Sequence, residues 1–597
     1  VDLATPNAAP PPWMAHRYPE TLLVDRKGVR VEVGSRGHFC PSSPVYRDRS
    51  LRIARALADR YGQHPGLAMW HVGNEYHAHC FCDNCDRSFR EWLQRKYRDL
   101  DELNDRWTTT FWSQRYDDWE QVHLPKPVRG HVNPTRELDF ARFVSDVALE
   151  AFTQERDLFH EVTPDIPVTT NFFQSVDLND YHRWGAAVDV VTFDSYPDPG
   201  RDDAAVNAAL QYDLMRSIGG GQPWLTLEQA ANAVSQWKRN YAKAEGGMRL
   251  DAYRMVARGS DAVMFFQWRP SRGGQEKFHS AMLPHGGTQS RSWKAVEALG
   301  QELPAAAEIA GSVIDADVAI VWDWDNWWAV EGCAHPTNDF SYKEALHRHY
   351  APLWERNIAT DVITLSSDLS RYRVIVVPNQ YLITAAQHDA LRAFVENGGH
   401  VVISYFSGIV VEDDAGIENG YPGGLRDVIG AQVLDFLPML PSARVGLEPA
   451  PGQTLLDAGF TAVGSDWQDD LVPEGADVVL RYSDGPFAGV PAVIDHALGA
   501  GHVTYIATQL DAASLSGLVA AVLDRAGVAP VHPAPAGVEV TERRSDTRRY
   551  LFFVNGGTAA EVELQRGGTD LLTGVRWECG DRLPLAPAAV VVLAGDR

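Results

Sequence analysis

The sequence predicts an α/β protein in three parts: a (β/α)8 TIM barrel, N-terminally incomplete, then a doubly wound α/β domain, then a small antiparallel β domain. Three observations carry that expectation. From residue 1 to about 305, short apolar runs alternate with longer amphipathic ones, the rhythm of parallel strands joined by crossover helices. Several of those runs end in polar residues with no packing purpose (Asn74-Glu75, Asn171, Asp194-Ser195-Tyr196, Glu228-Gln229), and chemistry gathered at C-terminal strand ends is the habit of a barrel. From about residue 535 the period changes to two, as in Val538-Glu-Val-Thr-Glu, the mark of half-buried strands.

Within the first part (1–305) the strand candidates are Asp2–Thr5, Leu67–Val72, Pro167–Phe173, Val188–Phe193, Trp224–Leu227 and Ala262–Trp268. Amphipathic helices are expected between them at Arg49–Tyr61, Ser88–Tyr97, Phe140–His160 and Glu245–Gly259. Six strands fall short of a barrel's eight and the chain opens in mid-strand, so about two leading βα units are expected to be absent before Val1. The second part (312–528) has buried strands at Val318–Trp322, Val374–Val377, His400–Ser404 and His502–Ala507, with helices at Ala385–Glu396 and Ala512–Ala526. It lacks a Gly-x-Gly-x-x-Gly phosphate loop and a Ser or Cys elbow, so a supporting role in assembly is expected. In the third part (535–597) Tyr550–Val554, Glu561-Val-Glu-Leu and Val590–Leu593 read as strands, with Asn555-Gly-Gly a hairpin turn.

A net charge of -25 argues against nucleic acid and anionic membrane as partners. No apolar stretch is long enough to span a bilayer. Six cysteines in uneven spacing are not a disulfide framework, which points to a reducing cytoplasm.

Two glutamates end strands in the same manner, Glu75 in WHVGNEY and Glu228 in PWLTLEQA. A pair of carboxyls on one barrel mouth is what glycoside hydrolysis needs: one donates a proton to the leaving oxygen, the other attacks the anomeric carbon or activates water. The 18 tryptophans, most of them before residue 330, suit a sugar pocket because sugar rings present flat C–H faces to indoles, although most single tryptophans are expected to be core. Cys80-Phe-Cys-Asp-Asn-Cys85 packs three thiols too closely for pairwise disulfides but well placed around one tetrahedral zinc. Cys40 is the candidate fourth ligand, and His71, His77 and His79 compete with it. A closed site of that kind is structural.

An ordered set of blocks then resembles glycoside hydrolase family 42, the β-galactosidases: TPNAAPPPW from Thr5, GHFCPSSP from Gly37, WHVGNEY, FWSQRYDDW from Phe111, FDSYP from Phe193, LEQA from Leu227 and FQWRPSRGGQEKFHSAMLPH from Phe266. The resemblance covers nearly the whole chain. It implies that Glu75 is the acid/base on the barrel's fourth strand and Glu228 the nucleophile on its seventh. It also implies that Arg36, Asn74, Trp112, Trp237, Glu276 and His279 hold galactose, and that Cys40, Cys80, Cys82 and Cys85 bind zinc. The second domain is then similar to a class I amidotransferase fold without its cysteine and assembles a homotrimer, whose neighbouring subunit walls part of the site. The implied activity is hydrolysis of terminal β-D-galactosides with retention. Two other readings stay open: an α-L-arabinopyranosidase or β-D-fucosidase of the same family, and a non-catalytic sugar-binding remnant if the chain truly begins at Val1.

Overall fold

The structure, a computed structural model, describes residues 4–77, 79–174, 177–235, 237–418, 420–457 and 459–597. Most of the expected strand Asp2–Thr5 lies outside the described residues, but the Thr5 N–H donates to the His71 carbonyl at 2.9 Å, as a neighbouring strand would. Next in order come β1 (Trp70–His71), β2 (Val168–Thr169), β3 (Asn171–Phe172), β4 (Thr192–Ser195), β5 (Trp224–Gln229) and β6 (Ser260–Val263). β1 pairs in parallel with β2, and β3, β4, β5 and β6 pair in parallel in that order. β1 to β4 are short and wholly buried and β5 is mostly so, which is why they read as apolar runs, whereas β6 exposes Asp261.

Helices wrap the outside, and their caps are legible locally. The 18-residue helix Pro44–Tyr61 starts on a proline behind Ser43, whose hydroxyl accepts from the Tyr46 N–H at 3.3 Å. The 29-residue helix Pro134–Val162 starts the same way behind Asn133, six residues before its expected start at Phe140. The last barrel strand differs from expectation in the opposite sense: Ala262–Phe266 is apolar throughout, yet the ladder covers Ser260–Val263 and only single bonds follow, such as Phe266 N–H to the Gln229 carbonyl.

The second part is a mixed sheet rather than a fully doubly wound one. Its parallel half comprises β7 (Val318–Val321), β8 (Thr360–Ile363), β9 (Val374–Val377) and β10 (His400–Ser404). The antiparallel half adds β11 (Ala431–Pro438), β12 (Val445–Pro449), β13 (Ala462–Pro473), β14 (Asp477–Tyr482) and β15 (Pro491–Leu498). With β16 (Gly501–Ile506) between the halves, the order is β11-β13-β12-β14-β15-β16-β10-β9-β7-β8, and β17 (Thr508–Leu510) pairs with β13.

The third part holds β18 (Val538–Arg544), β19 (Arg548–Asn555), β20 (Ala560–Glu563), β21 (Gly568–Asp570), β22 (Arg576–Trp577), β23 (Arg582–Leu585) and β24 (Val590–Asp596). The Asn555-Gly-Gly turn does not close a hairpin. β19 pairs with β18 and β24, while β20 crosses to β23, because the Asn555 side chain bonds the Thr558, Leu585 and Ala586 carbonyls and turns the chain away.

Buried arginines fasten the barrel to the other two parts. Arg216 bonds Asp361 and, at 3.2 Å, Asp213; Arg258 also meets Asp213, at 2.8 Å. Arg254 reaches Glu539 at 2.6 Å, and Arg543 reaches Asp261 at 2.6 Å. Removing one partner of such a pair strands a buried charge, at a cost of about 3–5 kcal/mol, so these contacts fix how the parts sit against one another.

Candidate active site

The Asn74-Glu75 pair follows β1 on a sharp turn. Gly73 has φ +64°, and a Cβ there would lie 2.5 Å from the Tyr76 ring, so only glycine fits. Glu75 itself has φ +46°, a strained conformation for a residue with a side chain. Its backbone N–H donates to Asn171 Oδ1 at 2.9 Å, and its backbone carbonyl meets the His77 ring. The carboxylate receives Arg36 at 2.5 Å and Asn74 Nδ2 at 3.4 Å.

Glu228 lies near the end of β5, in register with Asp194 of β4. The Tyr196 hydroxyl donates to Glu228 Oε2 at 2.5 Å. Burial pushes the Glu228 carboxyl up to about 7; the Tyr196 hydroxyl pulls it back, and the charge of Glu75 adds to the rise. Glu75, Asp194 and Glu228 each place an oxygen within 4.8 Å of the others.

The pair opens into a cavity of about 430 Å³, a size that suits a small-molecule ligand. Arg36, Asn74, Tyr196, Phe266 and Glu276 line it. Gln275 Nε2 donates to the Gly34 carbonyl at 2.9 Å and joins two loops at its mouth. Of the expected galactose residues, Arg36, Asn74 and Glu276 therefore gather around the glutamates. His279 does not reach the cavity: it is 1% exposed behind Tyr196 and Phe266, whose rings stand edge-on to it at 5.6 and 5.0 Å, and burial lowers its pKa to about 4. Trp237 lines a neighbouring cavity of about 680 Å³, which shares Tyr196 as a wall. Trp112, at φ +53°, is 71% exposed beside Phe111 and lies outside both cavities. Tyr196 and Asp194 were visible only as polar strand-end residues in FDSYP, with no role legible.

The cysteine cluster forms as expected. Cys40, Cys80, Cys82 and Cys85 place their Sγ atoms within 4.8 Å of one another, and Cys40 lies 3.4 Å from both Cys82 and Cys85. Four thiolates around one zinc at about 2.3 Å stand about 3.8 Å apart, so the donor set and its spacing fit a tetrahedral metal. Cys82 immediately precedes the helix Asp83–Lys96. Bonds from the other three thiols lower its pKa, so thiolate is favoured there. Among the described residues the histidines stay out of the cluster, since His71 bonds Asn171 and His77 the Glu75 carbonyl.

Comparison with known proteins places this geometry. Three family models match in succession: "Beta-galactosidase" over residues 1–306, "Beta-galactosidase trimerisation domain" over 316–529 and "Beta-galactosidase C-terminal domain" over 537–595. The β-galactosidase BgaB of Geobacillus kaustophilus is 41% identical over 559 residues, 93% of this chain and 82% of that protein. The β-galactosidase LacZ of Heyndrickxia coagulans is 40% identical over 99% of this chain and 88% of its own length. A crystal structure of a β-galactosidase from Bacillus circulans sp. alkalophilus superposes with a TM-score of 0.96 at 36% identity, covering 99% of this chain and 88% of that one. The chain belongs to glycoside hydrolase family 42, the β-galactosidases.

Proposed function

We propose that the protein releases terminal non-reducing β-D-galactose from β-galactosides by double displacement with retention, Glu228 acting as nucleophile and Glu75 as acid/base. The observation that supports this most is the spacing of the two carboxylates, whose oxygens lie within 4.8 Å across a cavity. Retaining glycosidases hold their carboxyls about 5–5.5 Å apart, whereas inverting ones leave about 6.5–9.5 Å for a water. The first step needs a carboxylate to attack and an acid to donate, and two neighbouring carboxyls can divide those roles.

In the first step a Glu228 oxygen bonds to the anomeric carbon as the glycosidic C–O bond breaks, and Glu75 delivers its proton to the departing oxygen. Glu75 then takes a proton from water, which attacks the anomeric carbon and frees Glu228. Arg36 sits on the Glu75 carboxyl and lines the same cavity, where its guanidinium can also donate to sugar hydroxyls. Asn74 serves the sugar 2-hydroxyl, a bond that strengthens in the transition state. Glu276 contacts the far side of the ring, with His279 and Trp237 supporting the wall. Trp112, exposed as it is, belongs to the wall that a neighbouring subunit completes.

In the same reading, residues 1–305 form the catalytic barrel, 312–528 assemble a homotrimer and 535–597 form the closing β domain; the matched trimerisation model supports the second assignment. Zinc held by Cys40, Cys80, Cys82 and Cys85 is structural, fixing the loop five residues beyond Glu75. Free cysteines fit a cytoplasmic setting. The test is proton NMR of the first-formed sugar: β-galactose is expected, and α-galactose would overturn the mechanism. Glu228→Ala should abolish turnover of an aryl β-galactoside; near-parental activity would remove Glu228 from its role.

A further inference from the structure

We propose that Asn171 is a positioning residue that sets which way the Asn74 amide faces, so that Asn74 offers its Nδ2 to the sugar 2-hydroxyl. The inference rests on the reading above in which Asn74 serves that hydroxyl, and it adds a residue to which that reading gives no part.

Asn171 lies on β3, 97 residues beyond Asn74, and is 2% exposed. Its side chain uses both ends twice. Oδ1 accepts the Glu75 backbone N–H at 2.9 Å and faces His71 Nε2 at 3.0 Å. Nδ2 faces Asn74 Oδ1 at 3.2 Å and donates to the Asp194 carboxylate. One of those neighbours has no choice of role, for a backbone N–H only donates. It therefore fixes the Asn171 amide, oxygen toward the Glu75 N–H and nitrogen toward Asn74 and Asp194. Asn74 inherits its orientation from that arrangement. A flipped Asn74 would set one NH2 group against another, so its oxygen turns to Asn171. Its Nδ2 is left 3.4 Å from the Glu75 carboxylate, in the cavity that Asn74 lines.

The same amide thus holds both members of the Asn74-Glu75 pair, one through its side chain and the other through its backbone. The expected signature separates those two effects. Asn171→Ala should lower kcat/KM for an aryl β-D-galactoside about tenfold more than for the corresponding aryl 2-deoxy-β-D-galactoside, which lacks the group that Asn74 serves. In an Asn74→Ala background the same substitution should lose that discrimination. Asn171→Asp keeps an oxygen for the Glu75 N–H but replaces the donor to Asn74 and Asp194, and it should show the same selective loss if the alanine variant fails to fold. Equal losses on the two substrates would overturn the proposal and assign Asn171 to plain support of Glu75, leaving the hydrolase reading intact. An unmodified protein that cleaves neither substrate would instead sink the hydrolase reading, and the proposal with it.

Discussion

Replacing Tyr196 by phenylalanine removes one oxygen and leaves the ring, so it tests what holds Glu228, the proposed nucleophile, ionised. In the structure the Tyr196 hydroxyl donates to Glu228 Oε2 at 2.5 Å, inside a site where burial drives the carboxyl up to about 7. Tyr196 itself is kept protonated, since burial first and the Glu228 charge next raise its pKa. A hydrogen bond to a charged group contributes about 1.5–3 kcal/mol, which corresponds to about one to two pH units on the carboxyl. The direction follows from which form is stabilised: the hydroxyl favours the carboxylate, so its loss raises the carboxyl's pKa. Tyr196→Phe should therefore move the acidic limb of the kcat/KM profile about one to two units toward alkaline pH. Well below that limb, where the carboxylate fraction falls tenfold per unit, the rate should drop about 10- to 100-fold. Initial rates on an aryl β-galactoside from pH 4 to 9 would show it. A variant with an unmoved acidic limb and near-parental rates would refute the argument, because the bond would then have no part in ionising Glu228.

Two other perturbations probe the frame around the site. Glu155, on the helix Pro134–Val162, is 2% exposed, accepts from Asn7 Nδ2 at 2.5 Å, and is pushed by burial from 4.5 up to about 8. The folded protein then keeps a proton that the unfolded chain has released, so stability falls as pH rises from about 4.5 to about 8 and levels off above. Glu155→Gln should flatten that slope, worth up to about 5 kcal/mol across the window, as urea titrations at pH 5 and 8 would record; an unchanged slope would exclude Glu155 as its source. At the cysteine cluster, elemental analysis should find about one zinc per chain, and a strong chelator or Cys85→Ser should lower both Tm and kcat through the loop beside Glu75. A metal-free protein with full stability would leave the four thiols as packing alone.

Much of the barrel was legible because parallel strands buried on both faces do not alternate; they read as mostly apolar runs, and Leu67–Val72 and Trp224–Leu227 do, with His71 and Thr226 the single polar residue of each. The same property blurred their ends. Met264, Phe265 and Phe266 continue the apolar run of β6 without its ladder, since packing asks only for hydrophobicity and hydrogen bonding asks for register. The antiparallel half of the second part was hidden for the opposite reason. β11 is buried at its start and half exposed towards its end, so neither a continuous run nor a clean alternation marks it. Where a turn signal was strong, at Asn555-Gly-Gly, the turn formed but its strands parted, because a local signal says that the chain bends and not what it pairs with afterwards.

For the site, chemistry was legible and support was not. Glu75, Glu228 and the four cysteines stood out because carboxyls at strand tips and thiols two residues apart have no use in packing. Tyr196 and Asn171 lack that mark, since a tyrosine or an asparagine is at home in many loops and cores. What gives them meaning is a set of distances that no spacing encodes: 2.5 Å across 32 residues from Tyr196 to Glu228, and 2.9 Å across 96 residues from Asn171 to Glu75. The strain at Glu75 shows why such support is needed. A residue held at φ +46° gives up about 1–3 kcal/mol, and it relaxes unless neighbours outweigh that cost. Here the Asn171 oxygen on its N–H and the Arg36 guanidinium on its carboxylate oppose relaxation from two sides. Glu75, the proposed acid/base, is thus placed by its partners more than by its own backbone preference, and substitutions at those partners should reach the chemistry without touching either glutamate.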